Sequence, residues 1–152
     1  MDQIDREILC QLQANGRMAN NELADRVGLS PSPCLRRVRN LEEDGIITGY
    51  RAELDRARVG CGYEPIVWVT LTTVTRDAMA EFEAAVAAEP DIVEVLRMMG
   101  QPDYLLRIVT EDASSFETLY IDTLAALPHV QTLTSQLAMK VVKRTGRLPL
   151  HR

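Results

Sequence analysis

The chain has 152 residues, 46% hydrophobic and 26% charged, and this composition excludes collagen-like and disordered proteins. No apolar run approaches the roughly 20 residues that a membrane-spanning helix needs. The first residues also lack the features of a signal peptide, so we expect a cytoplasmic protein without a membrane partner. The three cysteines are odd in number and widely spaced, which argues against a disulfide framework or a zinc site.

The net charge of −5 at pH 7 hides an uneven distribution of charge along the sequence. Residues 26–41 contain four arginines and no acidic residue. A local basic surface on an acidic protein can attract DNA. It can equally be a solvated helix face that happens to be rich in arginine, and charge alone leaves both interpretations open.

The first two predicted helices follow from polar caps and apolar spacing. Asp2 precedes a helical pattern of apolar residues that ends at Asn15-Gly16. Asn20 can cap a second helix that extends to about residue 27. Gly28 then provides the permissive backbone that a tight turn needs.

A third helix is expected over about residues 31–43. Ser30 and Ser32 lie at its start, where either hydroxyl can accept a hydrogen bond from a free backbone amide. Proline suits the same first turn because its missing N–H has no partner there. Asp44-Gly45 ends the helix. The apolar side chains expected to face the core are Leu35, Val38 and Leu41.

Two helices joined by a tight turn indicate a helix-turn-helix, in which the later helix enters the major groove. Hydroxyls can contact phosphates, arginine can pair with guanine or phosphate, and asparagine can pair with adenine. Arg37 lies near the inward side of its helix and can instead anchor the domain through Glu42 or Asp44. Arg17 can contact phosphate or cap the first helix. The candidate DNA contacts are Arg17, Asn20, Ser30, Ser32, Arg36, Arg37, Arg39 and Asn40.

The second half of the chain alternates between strand and helix periodicities. The expected strands cover residues 66–74, 92–99, 104–110 and 130–142. The expected helices cover residues 76–88 and 116–127. The order βαββαβ is ferredoxin-like. Residues 47–60 are expected to form a linker strand and turn between a head of residues 1–46 and a domain of residues 61–152, so the whole chain is expected to be α+β.

Two sets of residues, one in each half, occur in the order of a known family. The first set contains Ile4-Asp5-Arg6, Leu29 to Glu42 and Gly45-Ile46-Ile47, and the second contains Asp103 to Arg107, Leu127-Pro128 and Leu148-Pro149-Leu150. Together they resemble the leucine-responsive/asparagine regulator (Lrp/AsnC) family of bacterial and archaeal transcription factors. The resemblance implies a winged helix-turn-helix over residues 20–39 and a ferredoxin-like regulatory domain that senses amino acids.

The resemblance also implies the partners: double-stranded DNA, a second copy of the chain in a dimer, further dimers in an octamer, and a free amino acid. No metal or cofactor is implied, and the effector is expected where dimers meet. Backbone amides around Gly100 can bind a carboxylate, and Asp103 can accept from an ammonium group or simply cap a hairpin. The implied effector residues are Met98, Met99, Gly100, Gln101, Pro102, Asp103, Tyr104, Thr132, Thr134, Ser135 and Gln136.

His129 departs from the family pattern, which usually has glycine after Leu127-Pro128. Because histidine tolerates positive φ better than bulky or branched residues do, we interpret His129 as a turn residue, with sensing of pH or ligand as the alternative. Trp68 is expected in the core or an interface. An enzyme with a cavity inside a dimer and a module whose head binds protein are the rival functions. The sequence contains no catalytic motif that supports the enzyme.

Overall fold

The computed structural model describes residues 1–144 and 146–150, which divide into two compact units. The head unit comprises Met1–Glu53 and the C-terminal segment that begins at Val142, and the sheet unit comprises Leu54–Val141. The boundary therefore falls before the predicted residue 60. The C-terminal segment, expected in the second domain, belongs to the first unit. No helix in the described part of the chain is long and apolar enough to span a membrane.

Three helices build the head unit: α1 (Gln3–Ala14), α2 (Asn20–Arg26) and α3 (Pro31–Glu43). Cys34 is fully buried in α3, whereas Leu35, predicted to face inward, is 39% exposed. Positions 34, 38 and 41 follow the i, i+4, i+7 spacing of a helical face, which places Cys34 on the inner side. The buried core residues are Ile8, Leu9, Leu23, Ala24, Cys34 and Leu41.

The helix starts agree only in part with the predicted caps. Asp2 caps α1 in a capping box, because its carboxylate accepts from the Asp5 amide at 2.9 Å and the Asp5 carboxylate accepts from the Asp2 amide at 2.8 Å. Ala19 precedes α2, so the prediction that Asn20 caps this helix was wrong. Ser30 occupies the cap position of α3 without a hydrogen bond from its side chain.

Glycines end α2 and α3. Gly28 has a φ of +70°, and the next amide, that of Leu29, donates to the Ala24 carbonyl at 2.9 Å. This arrangement is a Schellman motif, which needs a residue in the left-handed region and therefore favours glycine. Gly45, with a φ of +68°, ends α3 in the same way, as its sequence position predicted.

The predicted linker strand does not form within the single chain. Residues 47–60, all of them described, contain no strand and end in a turn over residues 56–60. A β-strand needs a hydrogen-bonded neighbour, and this segment has none in one copy of the chain. Arg56 and Glu64 form an ion pair at 2.6 Å beside the turn.

The sheet unit has the predicted βαββαβ order. Its elements are β1 (Pro65–Leu71), α4 (Arg76–Ala88), β2 (Ile92–Arg97), β3 (Tyr104–Ile108), α5 (Ala113–Asp122) and β4 (Val130–Leu137). The strands form one antiparallel sheet in the order β2-β3-β1-β4, which confirms the ferredoxin-like prediction. β4 is shorter than predicted, since it ends at Leu137 rather than at residue 142.

The sheet has one covered face and one open face. Side chains alternate along a strand, so every second residue faces α4 and α5. The covered face and the helices share a core of Val67, Val69, Leu71, Phe82, Val86, Ile92, Tyr104, Leu106, Ile108, Leu119, Leu124 and Leu127. The open face of the sheet presents Ile66, Trp68, Thr70, Leu105, Arg107, Thr132, Thr134 and Gln136. In the register, Trp68 lies between Leu105 on one side and Thr134 on the other.

Candidate DNA-binding and effector sites

One face of α3 presents polar and cationic side chains to solvent. Arg36, Arg39 and Asn40 are exposed at i, i+3 and i+4, so they lie on one side of the helix as predicted. Neither arginine forms an ion pair with another described residue. Ser30 and Ser32 are exposed at the N-terminal end of the same helix, where free backbone amides favour an anion. This face is therefore positively charged and open to a large partner.

Arg37 lies at the flank of α3, between its exposed face and its buried face, and is held by two carboxylates. Its Nη1 donates to Asp5 at 2.7 Å and to Asp2 at 2.8 Å. The hydrogen bond to Asp5, followed by the one to Asp2, raises the pKa of Arg37. The structure thus favours the anchoring interpretation of Arg37 over a DNA contact.

The acids that hold Arg37 are not the predicted ones. Glu42 instead accepts a hydrogen bond from the Tyr50 hydroxyl at 2.9 Å, and Asp44 forms no ion pair with the arginine. Burial, followed by the hydrogen bond and charge of Glu42, raises the pKa of Tyr50 to about 12. The tyrosine therefore stays protonated and keeps donating to Glu42.

The two remaining candidates of the head unit have different surroundings. Asn20 lies at the start of α2, and its side-chain amide donates to the Pro31 carbonyl at 2.9 Å. This bond joins the start of α2 to the start of α3, so Asn20 helps to fix the angle of the helix-turn-helix. Arg17 is exposed, and its backbone amide donates to the Asn15 side chain at 3.0 Å.

The predicted effector loop is the hairpin between β2 and β3. Asp103 closes it, since its carbonyl accepts from the Met98 amide at 2.7 Å. The Asp103 carboxylate accepts from the Leu71 amide at 2.8 Å, and the Asp103 amide donates to the Val69 carbonyl at 2.9 Å. Asp103 thus caps the hairpin and ties it to β1, which was one of the two roles expected for it.

Tyr104, one of the predicted effector residues, has a side chain that faces the core of the sheet unit. Its ring is fully buried and packs against Phe82, with ring centroids 4.7 Å apart. Its hydroxyl donates to Glu83 at 2.8 Å, and burial, followed by this bond, raises the pKa of Tyr104. The residue faces the core because odd and even positions of β3 point to opposite faces of the sheet.

A pocket of about 420 Å³ opens beside the hairpin. Gly100, with a φ of +102°, lets the loop turn towards it, whereas Met99 is fully exposed and does not line it. The lining residues are Trp68, Thr70, Gln101, Pro102 and Thr134. The pocket thus combines an aromatic ring and a proline with two hydroxyls and an amide.

The pocket includes only some of the predicted effector residues. Sequence reasoning missed Trp68 and Thr70 as lining residues, although both alternate on β1 and face the same side as Thr134. Gln136 holds the indole, since its side chain accepts from Trp68 Nε1 at 3.1 Å. The predicted effector residues that do not line the pocket are Met98, Met99, Gly100, Asp103, Tyr104, Thr132, Ser135 and Gln136. Among the described residues, no cluster of His, Cys, Asp or Glu could hold a metal ion.

The two halves of the chain match two known family models. Residues 1–48 match the winged helix-turn-helix DNA-binding model, and residues 64–148 match the Lrp/AsnC ligand binding domain. The chain belongs to the Lrp/AsnC family. This confirms the resemblance seen in the sequence and makes the protein a DNA-binding transcriptional regulator with a ligand-binding domain rather than an enzyme.

Two similar bacterial proteins support the same assignment over nearly the full length of the chain. The leucine-responsive regulatory protein of Salmonella typhimurium is 41% identical and aligns with 97% of this chain and 90% of its own length. The Bkd operon transcriptional regulator of Pseudomonas aeruginosa is 38% identical, with 99% of this chain and 98% of that protein aligned.

Two solved structures of bacterial transcriptional regulators have the same fold. A transcriptional regulator of Neisseria meningitidis in complex with L-Met superposes with a TM-score of 0.93, at 39% identity over 99% of this chain and 97% of that one. An AsnC family transcriptional regulator of Agrobacterium tumefaciens also gives 0.93, at 36% identity over 99% and 98% of the two chains.

Proposed function

We propose that this Lrp/AsnC regulator reads operator DNA with the exposed face of α3 and that an amino acid bound at the hairpin pocket controls its assembly. The observation that carries the proposal is the contrast between arginines on α3. Arg36 and Arg39 face solvent and form no ion pair within the part of the chain that the structure describes, whereas Arg37 is held by Asp2 and Asp5. A helix that keeps two cations unpaired and exposed has them available for an anionic partner.

The proposed DNA contacts follow from the position of each group on α3. The N-terminal turns of the helix enter the major groove while α2 crosses the backbone. Arg36 and Arg39 then reach guanine edges or phosphates, and Asn40 reaches adenine. Ser30 and Ser32 lie where hydroxyls and helix amides bind phosphate.

Removing either exposed arginine should weaken DNA binding. Arg36→Ala or Arg39→Ala loses one cationic contact, so we expect weaker binding to the wild-type operator. A lost phosphate contact also reduces the slope of log affinity against log salt by about one unit. Fluorescence anisotropy at several salt concentrations measures both quantities. The matched control is Arg76→Ala, which removes an exposed positive charge from the sheet unit. If wild type and the three variants bound the operator equally well, α3 would not be part of the DNA interface.

The pocket beside the hairpin has the chemistry of an amino-acid site. Trp68 and Pro102 offer apolar contact to a side chain, while Gln101 and the hydroxyls of Thr70 and Thr134 offer hydrogen bonds to the ammonium and carboxylate groups. The structural relative from Neisseria meningitidis was solved with L-Met. Methionine and leucine are therefore the first amino acids to test.

Trp68 provides a direct measurement of ligand binding. It is the single tryptophan of the chain and it lines the pocket, so its emission should change as an amino acid binds. We expect a saturable change on titration with L-methionine or L-leucine. Thr134→Val removes one hydroxyl and should weaken binding several-fold, since one hydrogen bond contributes about 1 kcal/mol. Thr73→Val is the control because Thr73 is exposed outside the pocket. If none of the twenty amino acids changed the emission of Trp68, the proposal that the effector is an amino acid would be wrong.

The open face of the sheet supports a homodimer as the unit of assembly. Ile66, Trp68 and Leu105 leave apolar surface on this face, and both outer strands, β2 and β4, have one unpaired edge. Apolar faces and strand edges of this kind favour a symmetric partner. We propose that dimers associate further, up to an octamer, at the hairpin end of this face, where Gln101 and Pro102 border the pocket, so that the effector binds where dimers meet. A ligand can shift this equilibrium only if it binds one assembly more tightly than another.

A further inference from the structure

The C-terminal segment Leu148–Leu150 lies along α1 in the head unit and is held there by three hydrogen bonds. The Gln13 side chain accepts from the Leu148 amide at 2.6 Å and donates to the Leu148 carbonyl at 3.4 Å. Arg6 Nη1 donates to the Leu150 carbonyl at 3.2 Å. A single glutamine therefore pairs with both backbone groups of Leu148, as a neighbouring strand would.

Apolar packing adds to these hydrogen bonds at one of the two leucines. Leu150 packs against the buried core of the head unit, on the same cluster as Ile8 and Leu9. Leu148 is 69% exposed, so its side chain contributes little to the contact. The segment is therefore fixed by its backbone at Leu148 and by its side chain at Leu150.

The docked segment gives the head unit a second covalent connection to the sheet unit. The chain passes from one unit to the other at Glu53–Leu54 and again at Val141–Val142. Only residues 138–147 lie between the end of β4 and Leu148. Such a short connection keeps the segment at a high effective concentration near α1, so docking through a few contacts is sufficient to hold it there. The connection starts from β4, the strand that places Thr134 in the pocket.

We propose that the docked segment Leu148–Leu150 acts as a tether that restricts the head unit and so sets the separation of the two DNA-binding heads in a dimer. The inference rests on the proposed function, because it concerns how a dimer binds two half-sites. A head attached through one irregular linker can adjust to many half-site separations, whereas a head attached at two points cannot. The tether therefore controls spacing selectivity rather than contact with an individual half-site.

The experiment compares Leu150→Ala with Leu148→Ala, which makes the same chemical change at the exposed leucine. Three duplexes are used: an operator selected in vitro, the same operator with an insertion between its half-sites, and a single half-site. The insertion is about five base pairs long, which is half a helical turn. We expect wild type and Leu148→Ala to bind the original operator at least about tenfold more tightly than the operator with the insertion. Leu150→Ala should reduce this ratio to about threefold or less and bind the single half-site within twofold of wild type.

A second variant keeps the test independent of core packing. Gln13→Ala removes both hydrogen bonds to Leu148 from the surface of α1 and should also reduce the discrimination, by at least about twofold. Undiminished discrimination in Gln13→Ala and in Leu150→Ala would overturn the tether. An equal loss of binding to all three duplexes by these variants would also overturn the tether, because the segment would then only support the fold of the head unit. Failure of the wild type to bind any duplex would instead overturn the proposed function itself.

Discussion

His129 shows how a single residue can combine an unfavourable backbone conformation with useful contacts. Its φ of +62° lies in the left-handed region, as the turn interpretation predicted. Its carbonyl accepts from the Thr72 amide at 2.7 Å, and its Nε2 lies 2.7 Å from Glu81. The turn thus holds β4 beside the end of β1 and also contacts α4.

Replacing His129 should separate the backbone effect from the contact with Glu81. His129→Gly and His129→Ala both lose the imidazole, but only alanine keeps the steric conflict of an L-residue at positive φ. We expect the glycine variant to have a free energy of unfolding about 1 kcal/mol higher than the alanine variant. Urea unfolding of the two proteins measures the difference. Equal stabilities would show that the turn relaxes when the histidine is removed.

At the scale of helices and strands, features with a local cause could be predicted, while features that depend on distant partners could not. Gly28 and Gly45 end their helices as expected, because the left-handed conformation is a property of one residue. Asn20 does not cap α2, because it is the first residue of the helix, and its side-chain amide instead bonds to Pro31, eleven residues away. Tyr104 follows the strand pattern but its orientation depends on which face α4 covers. The predicted linker strand is absent, because residues 47–60 have no neighbouring strand within the single chain.

The start of α1 should contribute stability that depends on pH. The pKa of Asp2 is lowered, first by the hydrogen bond from the Asp5 amide and then by Arg37. A lowered pKa means that the contribution is present above the ordinary value of 3.8 and is lost as the pH falls through the lower folded value. Asp2→Asn keeps an oxygen for the cap but removes the charge. We therefore expect wild type to have the higher Tm at neutral pH.

The comparison of Tm for wild type and Asp2→Asn should be made from neutral pH down to about pH 3. The advantage of wild type should shrink once the pH falls below about 4 and should fade as Asp2 becomes protonated. Asp25→Asn is the control, because it makes the same chemical change at an exposed residue of α2. A difference in Tm that stays constant across this pH range would contradict a stabilising role for the charge of Asp2.

At the scale of the whole molecule, strand and helix periodicities were sufficient to predict the order of elements, and helical spacing predicted the exposed face of α3. The pocket was predicted only from the hairpin side, because the contribution of Trp68 depends on strand register. No local pattern in the sequence indicates that Leu150 packs on helices at the other end of the sequence. Contacts between residues far apart in sequence are thus where prediction from the chain alone fails.

The open face of the sheet should be the surface that joins two copies of the chain. Leu105 lies near its centre and pairs in register with Trp68 on β1 and Leu96 on β2. Leu105→Asp places a charge on this face, and burying an unpaired charge in an interface is strongly unfavourable. We therefore expect the variant to sediment as a monomer at concentrations where wild type is a dimer.

A matched variant on the other side of the sheet unit makes the test of the dimer specific. Ile121 on α5 is 62% exposed, so Ile121→Asp introduces the same charge on the helix-covered side without entering the open face. This variant should remain a dimer. Because two linked heads bind a two-site operator far more tightly than one head does, Leu105→Asp should lose affinity for the full operator and keep its affinity for a single half-site. Dissociation by Ile121→Asp but not by Leu105→Asp would place the interface on the helices instead.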